Sequence, residues 1–333
     1  MSRPWFLLPF LWLLVAVPAM DSAVRSHALW DGVPLSQVEL RIKSLFSRSL
    51  SRDMRQHLRV ETDAGLSVFL RNERQLQWVD YFCGQGGVGT SLINRGGLPR
   101  GHFVDLVLGL DILTTSGYAQ CIRLAAQIEH MGFSMFAPPC SNMIWMSRGS
   151  TLRCKSRPLG DTTKEHVRIS NEITKRCVFL VEFLMCRGVQ WLVEQPLTSI
   201  MFMLPFWRSF LKQRRTLHVY GYDIEICRKF IWMGHWDSSV TWKPTILLGA
   251  TAFAQLITTQ RPAKRQSTIV KKTTQKQITV GKSAKVKTVY RIYGSRVALR
   301  KTQVYPVGFC DELALLVARF RTRASRLHKQ GLV

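Results

Sequence analysis

The stretch LQWVDYFCGQGGVGT, from Leu76 to Thr90, decides the fold class. Its first part, up to Phe82, is an apolar run that predicts a buried strand. A loop follows with glycines at Gly84, Gly86, Gly87 and Gly89, and the residues after it can begin a helix. A glycine-rich turn between a strand and a helix lets the backbone approach a nucleotide-like ligand.

Strand-like and helix-like segments alternate downstream of this loop. The strand-like runs are FVDLVLGLDI (103–112), FSMFAPPC (133–140) and VQWLVEQP (189–196). Helical periodicity marks residues 116–131 and 169–188 between them. The alternation predicts an α/β fold with a mostly parallel sheet and helices on both faces. Ligands of such folds bind at the carboxyl ends of the strands.

The unusual residues fall at those predicted strand ends. They are the glycine loop, Asp111, the segment from Pro138 to Ser141, and the segment from Glu194 to Pro196. An acidic residue that ends the second strand can bind ribose hydroxyls. A dinucleotide site is the alternative for this loop, although the interval to Asp111 exceeds the roughly 20 residues usual there.

Cys140, behind two prolines, has three interpretations: a packing residue, a metal ligand or a nucleophile. None of the 8 cysteines forms a C-x-x-C pair, and no histidine stands at a finger-like spacing. The sequence therefore predicts no metal site. The scattered spacing favours reduced thiols over a disulfide framework.

The composition is that of a globular and strongly basic chain. Hydrophobic residues make up 46% of the 333, and the formal net charge is +26. Residues 255–333 contain 18 Lys and Arg against only Asp311 and Glu312. Such an excess predicts a polyanionic partner, with nucleic acid favoured over an anionic membrane surface. Residues 261–294 mix lysine with β-forming residues, as a basic β-hairpin or a partly disordered arm does.

The remaining segments complete a four-part organisation. Residues 1–22 have the pattern of a signal peptide and are too short for a comfortable membrane span. Residues 34–72 form a basic helical extension that is expected to pack on the domain. The core is predicted at 73–250, and the basic region 251–333 is expected to return to it near 303–320.

Three motifs carry a resemblance to a known family. DYFCGQGG, from Asp80 to Gly87, resembles the cofactor motif of cytosine-C5 DNA methyltransferases. APPC, ending at Cys140, resembles their nucleophile motif, and VEQP, which contains Glu194, stands where they carry Glu-Asn-Val or Glu-Asn-Pro. The order and spacing of the three also fit that family.

A closer resemblance is to a large set of methyltransferase-like proteins from dinoflagellate genomes. Those proteins share elements that correspond here to FAPPCS, MSRGST, EQPLTSIMF, WKPTILLGATAF and TQVYPVGF. The similarity covers about residues 76–320. It implies a Rossmann-like class I methyltransferase fold with a basic C-terminal extension, and S-adenosyl-L-methionine as the cofactor.

The resemblance also implies residue roles. Cys140 would be the thiolate that adds to cytosine C6, and Glu194 would hydrogen-bond the N3 atom and the exocyclic amine of the base. The other implied residues bind the cofactor (Asp80, Phe82, Gly84, Gly86, Gly87, Asp111 and Pro138) or the substrate (Pro139, Ser141, Arg148, Gln195 and Pro196). The partner would be nucleic acid, DNA more than RNA, and the target base would be flipped out of the duplex.

Two rival functions remain at this stage. One is a catalytically degenerate nucleic-acid-binding protein, which is favoured by the lack of a Gln-x-Arg-x-Arg counterpart between Glu194 and Lys243. The other is a small-molecule or protein methyltransferase of the secretory pathway, which only the N-terminal apolar run supports. DNA methylation implies a nuclear location, whereas that run implies secretory entry. Stable membrane association is expected only if the run is retained.

Overall fold

The computed structural model describes residues 35–71, 75–214, 216–219, 222–237, 243–251, 253–261, 269–280, 283–294 and 304–329. The helices are α1 (Leu35–Ser49), α2 (Arg52–Leu58), α3 (Asp63–Arg71), α4 (Gly87–Asn94), α5 (Thr115–Gln127), α6 (Arg148–Thr151), α7 (Glu165–Cys186), α8 (Pro205–Gln213) and α9 (Val307–Lys329). The strands are β1 (Leu76–Tyr81), β2 (Gly101–Val104), β3 (Ile128–Phe136), β4 (Gln190–Pro196), β5 (Thr216–Val219), β6 (Tyr222–Glu225), β7 (Cys227–Trp232), β8 (Pro244–Ala250), β9 (Ile269–Val280) and β10 (Ser283–Gly294).

Six of these strands form one sheet in the order β2-β1-β3-β4-β8-β7. The first four are parallel, and α4, α5 and α7 provide the crossovers between them. Strand β8 is antiparallel to both β4 and β7, so β7 runs in the direction of β4. The predicted α/β fold with a mostly parallel sheet is confirmed, and the carboxyl ends of β1 to β4 meet at one edge.

The sheet is buried on both faces. Trp191 and Val193 of β4 belong to a core that includes residues of α1, α5 and α7. Leu192, between them, belongs to a second core with residues of α4 and α9. Because successive side chains of a strand point to opposite faces, the two cores lie on opposite sides of the sheet. This explains why the strands are continuous apolar runs.

The basic N-terminal segment packs on the first core. The spacing in residues 34–60 predicts one helix, but the structure has two, because Ser51 accepts a hydrogen bond from the Met54 amide at 3.2 Å and begins α2. Phe46 is 2% exposed. Arg48 forms an ion pair with Glu182 of α7, and Glu182 is buried. The predicted packing of this segment on the domain is therefore observed.

Two predicted boundaries are wrong. The second strand ends at Val104, because the Asp105 carboxylate accepts a hydrogen bond from the Val107 amide at 3.1 Å and turns the chain. The helix predicted over 116–131 ends at Gln127, because the chain from Ile128 onward pairs with β1. Apolarity alone does not separate a strand from a turn or from the end of a helix.

The C-terminal region contributes a ribbon and a helix. Strands β9 and β10 pair antiparallel over their whole length, from Ile269 opposite Gly294 to Val280 opposite Ser283. Helix α9 packs on α4, where Asp311 accepts a hydrogen bond from the Ser91 hydroxyl at 2.8 Å. The signal-like segment 1–22 lies outside the described residues. Of the helices that the structure describes, none has the length and apolarity needed to cross a membrane.

Candidate active site

The glycine loop lies between β1 and α4, at the carboxyl edge of the sheet. Gly84 and Gly86 have φ angles of 55° and 70°, in the left-handed region that favours glycine. Phe82 is also left-handed, with a φ of 60°, which is a strained conformation for a bulky residue. A Cβ added at Gly84 would meet no atom within 4 Å, so the space beside the loop is open.

Asp80 lies buried beneath this loop. It is 2% exposed, and its Oδ2 accepts a hydrogen bond from the Gly89 amide at 3.2 Å. Burial raises the pKa of Asp80 from 3.8 to about 7; the charge of Asp105 adds to the rise, whereas the Gly89 hydrogen bond opposes it. Asp80 therefore ties the loop to the first turn of α4 and does not face solvent.

A second carboxylate that bonds to the loop belongs to Asp105, which the sequence interpretation missed. Asp105 follows β2 directly, and its Oδ2 accepts a hydrogen bond from the Gly84 amide at 2.9 Å. Asp111 instead bonds within its own turn, where its Oδ1 accepts from the Leu113 amide at 2.8 Å. Asp105 was identifiable as the first acidic residue of the run FVDLVLGLDI.

An exposed apolar turn stands next to Asp105. Leu106, Val107 and Leu108 are 67%, 79% and 57% exposed. An open glycine loop, a carboxylate at the end of the second strand and an apolar surface together match the needs of a nucleoside: backbone approach, hydroxyl acceptors and a wall for the base. Each Asp105 oxygen accepts one hydrogen bond, and an ionised carboxylate has room for more.

Cys140 lies in the loop that follows β3, the strand next to β1 in the sheet. The two prolines before it differ, because Pro138 is buried and Pro139 is exposed. Gln195 of β4 fixes this loop: it is fully buried, donates to the Pro138 carbonyl at 2.8 Å, and accepts from the Ser199 hydroxyl at 2.8 Å. Gln195 therefore acts on the Cys140 loop through the backbone, and both of its amide atoms already have partners in the protein.

Glu194 is held from two sides. It is 6% exposed, and its Oε2 accepts a hydrogen bond from the Tyr305 hydroxyl at 3.2 Å. Lys243, directly before β8, places its Nζ 3.6 Å from Oε1. The Lys243 ammonium also lies 5.5 Å from the centre of the Tyr305 ring. Elements distant in sequence thus converge on one carboxylate.

Cys140 shares the electrostatic environment of Glu194. Burial raises the pKa of the Cys140 thiol above its usual value, the Glu194 carboxylate raises it further, and Lys243 lowers it. The cysteine, the glutamate and the lysine therefore form one coupled group at the carboxyl ends of β3 and β4.

The other residues predicted to bind substrate differ in exposure. Pro139, Ser141 and Arg148 are exposed, and Pro196 is half-buried. Arg148 begins the short helix α6. Trp145 and Met146, each 46% exposed, were not identified from the sequence although they follow Cys140 closely. Exposed large side chains beside a candidate nucleophile are suited to contact a planar substrate.

The remaining cysteines fit structural roles. All eight cysteines are unpaired thiols. Burial raises the pKa of Cys310, which packs against the glycine loop, to about 12, and that of Cys83 to about the same value. Across the described ranges, no group of three or more His, Cys, Asp or Glu side chains is arranged to hold a metal ion.

Comparison of the chain with known protein families and with curated proteins gives no match.

Proposed function

We propose that this protein is an S-adenosyl-L-methionine-dependent methyltransferase of the class I fold that methylates cytosine C5 in DNA. The motifs DYFCGQGG, APPC and VEQP resemble those of cytosine-C5 DNA methyltransferases. Strand β8 lies next to the edge of the sheet and runs opposite to the parallel strands. This arrangement is compatible with the class I methyltransferase fold.

One observation carries the proposal. Cys140 follows β3 and Glu194 lies near the end of the adjacent parallel strand β4, and the Gln195 side chain joins the two segments through the Pro138 carbonyl. A thiol and a carboxyl group that are electrostatically coupled at the carboxyl edge of a sheet, beside a nucleoside-type loop, suit attack on a nitrogen heterocycle. A purely packing cysteine does not require these partners.

The chain's own residues account for the steps at the base. Cys140 Sγ bonds to cytosine C6 and loses its proton, while cytosine N3 gains one, so the addition needs no external proton source. Glu194 stabilises the protonated N3 and accepts a hydrogen bond from the exocyclic amine. After C5 receives the methyl group, the C5 proton leaves to solvent. The Cys140–C6 bond then breaks, the C5–C6 double bond returns, and the proton on N3 passes back to the leaving thiolate.

The cofactor site would be the glycine loop with its surroundings. S-adenosyl-L-methionine supplies an electrophilic methyl group on a sulfonium. Gly84 leaves room for close approach, and Asp105 has acceptor capacity for ribose hydroxyls. Phe82 and the exposed turn at 106–108 are the apolar surfaces available to the adenine. Asp111, bonded within its turn, is the alternative ribose ligand implied by the resemblance.

The ribbon of β9 and β10 supports DNA as the substrate. Its register sets Lys272 opposite Arg291 and Lys276 opposite Lys287, so basic residues occupy opposed positions along the ribbon. Like charges at directly opposed positions disfavour a strand pair, and a bound polyanion would offset their repulsion. A two-stranded ribbon also fits the major groove of a duplex.

Transfer of a labelled methyl group from S-adenosyl-L-methionine to duplex DNA tests the function. The proposal expects 5-methylcytosine in DNA digests with the wild-type protein and none with Cys140→Ala. Label on a base other than cytosine, or equal label with the variant, would contradict it.

The second candidate is a nucleic-acid-binding protein that keeps this fold without catalysis. The basic ribbon of β9 and β10 favours it, because phosphate binding by the ribbon needs no active site. DNA binding without methyl transfer or covalent trapping would support this candidate over the first.

A further inference from the structure

Lys243 stands in an unusual conformation at the centre of the candidate site. Its φ angle is 31°, in the left-handed region that residues with side chains rarely adopt. Non-glycine residues persist there only when the surrounding structure fixes them, and they concentrate at functional sites. The side chain of Lys243 is 18% exposed, so its ammonium group is largely withdrawn from water.

The contacts of Lys243 account for this placement. Its Nζ lies 3.6 Å from Glu194 Oε1, and the Glu194 side chain is 8% exposed. Oε1 has no hydrogen-bond partner within the described residues, whereas Oε2 accepts from Tyr305. The lysine therefore supplies the positive charge beside the oxygen of Glu194 that Tyr305 does not contact.

A cation is needed there because the proposed chemistry brings two anions together. Glu194 opposes ionisation of Cys140, and Lys243 favours it. Within the described residues, these are the two charged groups that act on the Cys140 thiol. A nearby positive charge stabilises a thiolate most when both groups are partly removed from water.

We propose that Lys243 is a positioning residue that stabilises the Cys140 thiolate through space while it holds the Glu194 carboxylate. The inference deepens the proposed function, on which the roles of Cys140 and Glu194 rest. It assigns to the residue directly before β8 a part in activating the nucleophile that the pairing of the strand does not indicate.

The test is the pH profile of alkylation of the full chain by iodoacetamide, with Cys140 followed by peptide mass spectrometry. No DNA and no cofactor are needed. All variants are made in a Cys154→Ser background. Hydrogen bonds from Ser156 and the Arg157 amide lower the pKa of Cys154, so its thiol would compete with Cys140 for iodoacetamide. The midpoint of the Cys140 profile reports the thiolate directly.

Lys243→Met keeps the length of the side chain and removes its charge. It should move the midpoint upward by about one pH unit, which slows alkylation below the midpoint roughly tenfold. Lys243→Arg should restore the wild-type profile, which a merely structural role would not require. An unchanged midpoint in Lys243→Met, or no restoration by Arg, would overturn the proposal.

Glu194→Gln is the second arm, and it keeps the test decisive if Lys243→Met does not fold. With Glu194 neutral and Lys243 still charged, the Cys140 midpoint should fall below that of the wild type. A midpoint that stays or rises would overturn the proposal. These outcomes are independent of catalysis, so they remain distinct from a failure of methyl transfer or DNA trapping.

Discussion

The Tyr305 hydroxyl donates a hydrogen bond to Glu194 Oε2 over 3.2 Å, although the two residues are 111 positions apart. Burial of the hydroxyl and the charge of Glu194 raise the pKa of Tyr305 well above its usual value, so it remains a donor. Phe309, on α9, packs against the Tyr305 ring at 5.5 Å between centroids. The C-terminal region is therefore part of the candidate site.

Tyr305→Phe should destabilise the protein by about 1–2 kcal/mol, because a nearly buried carboxylate oxygen loses its donor. Urea unfolding at pH 7 measures the change. The control is a double-mutant cycle with Glu194→Gln, in which the hydrogen bond should appear as a coupling of roughly 1 kcal/mol. Additive effects of the two substitutions would argue against a direct bond in solution.

Asp105→Ala should weaken binding of S-adenosyl-L-methionine at least about tenfold, since it removes hydroxyl acceptors and the partner of the Gly84 amide. Asp111→Ala is the matched control, and it should leave the affinity near that of the wild type because Asp111 bonds within its own turn. Calorimetric titration of both variants decides between them. The opposite ranking would assign the ribose to Asp111.

Asp80 should make the protein less stable as the pH rises from about 4 to about 7. Its folded-state pKa is raised to about 7, so the native state retains a proton that the unfolded chain has already released. The stability lost across this window is up to about 4 kcal/mol and should level off above it.

Asp80→Asn keeps the acceptor for the Gly89 amide and removes the titration. Urea unfolding at several pH values should show that the loss of stability due to Asp80 between about pH 4 and 7 disappears in this variant. Asp63→Asn, at an exposed position paired with Lys43, is the control and should preserve the slope. A wild-type slope in Asp80→Asn would contradict the assignment.

The basic residues of the β9–β10 ribbon should dominate DNA affinity. Replacement by serine at Lys272, Lys276, Lys287 and Arg291 should weaken binding to a duplex. It should also reduce the steepness of log affinity against log salt concentration by about three to four. The charge-matched control replaces four exposed basic residues of α7 and α8, namely Arg168, Lys175, Arg208 and Lys212. Equal loss in both variants would mean that net charge alone drives binding. Binding to anionic vesicles in preference to DNA would indicate a membrane partner instead.

The sequence predicts well where the chemistry is local. The glycine loop and β4 follow from continuous apolar runs that end in glycine or proline, and the structure has them where the runs predict, whereas β3 begins five residues before its run, at Ile128. Asp105 was missed because the apolar run continues past it, and only the hydrogen bond to Val107 shows that the strand has ended. Backbone turns of this kind depend on one side chain.

The contacts of Lys243 and Tyr305 with Glu194 were beyond sequence reasoning for a different reason. They depend on the antiparallel insertion of β8 beside β4 and on the packing of α9 against α4. Long-range packing of this kind leaves no periodicity or local spacing in the chain. The motif TQVYPVGF resembled a family element, but the role of its tyrosine follows only from the fold.

The most direct test is covalent trapping of the protein on duplex DNA that contains 5-fluorocytosine, with S-adenosyl-L-methionine present. Fluorine at C5 cannot leave as a proton does, so the bond between Cys140 Sγ and C6 persists through denaturation. The account predicts a denaturation-resistant complex with the wild-type protein and none with Cys140→Ala. Absence of the adduct from wild-type protein that binds both the DNA and the cofactor would contradict it.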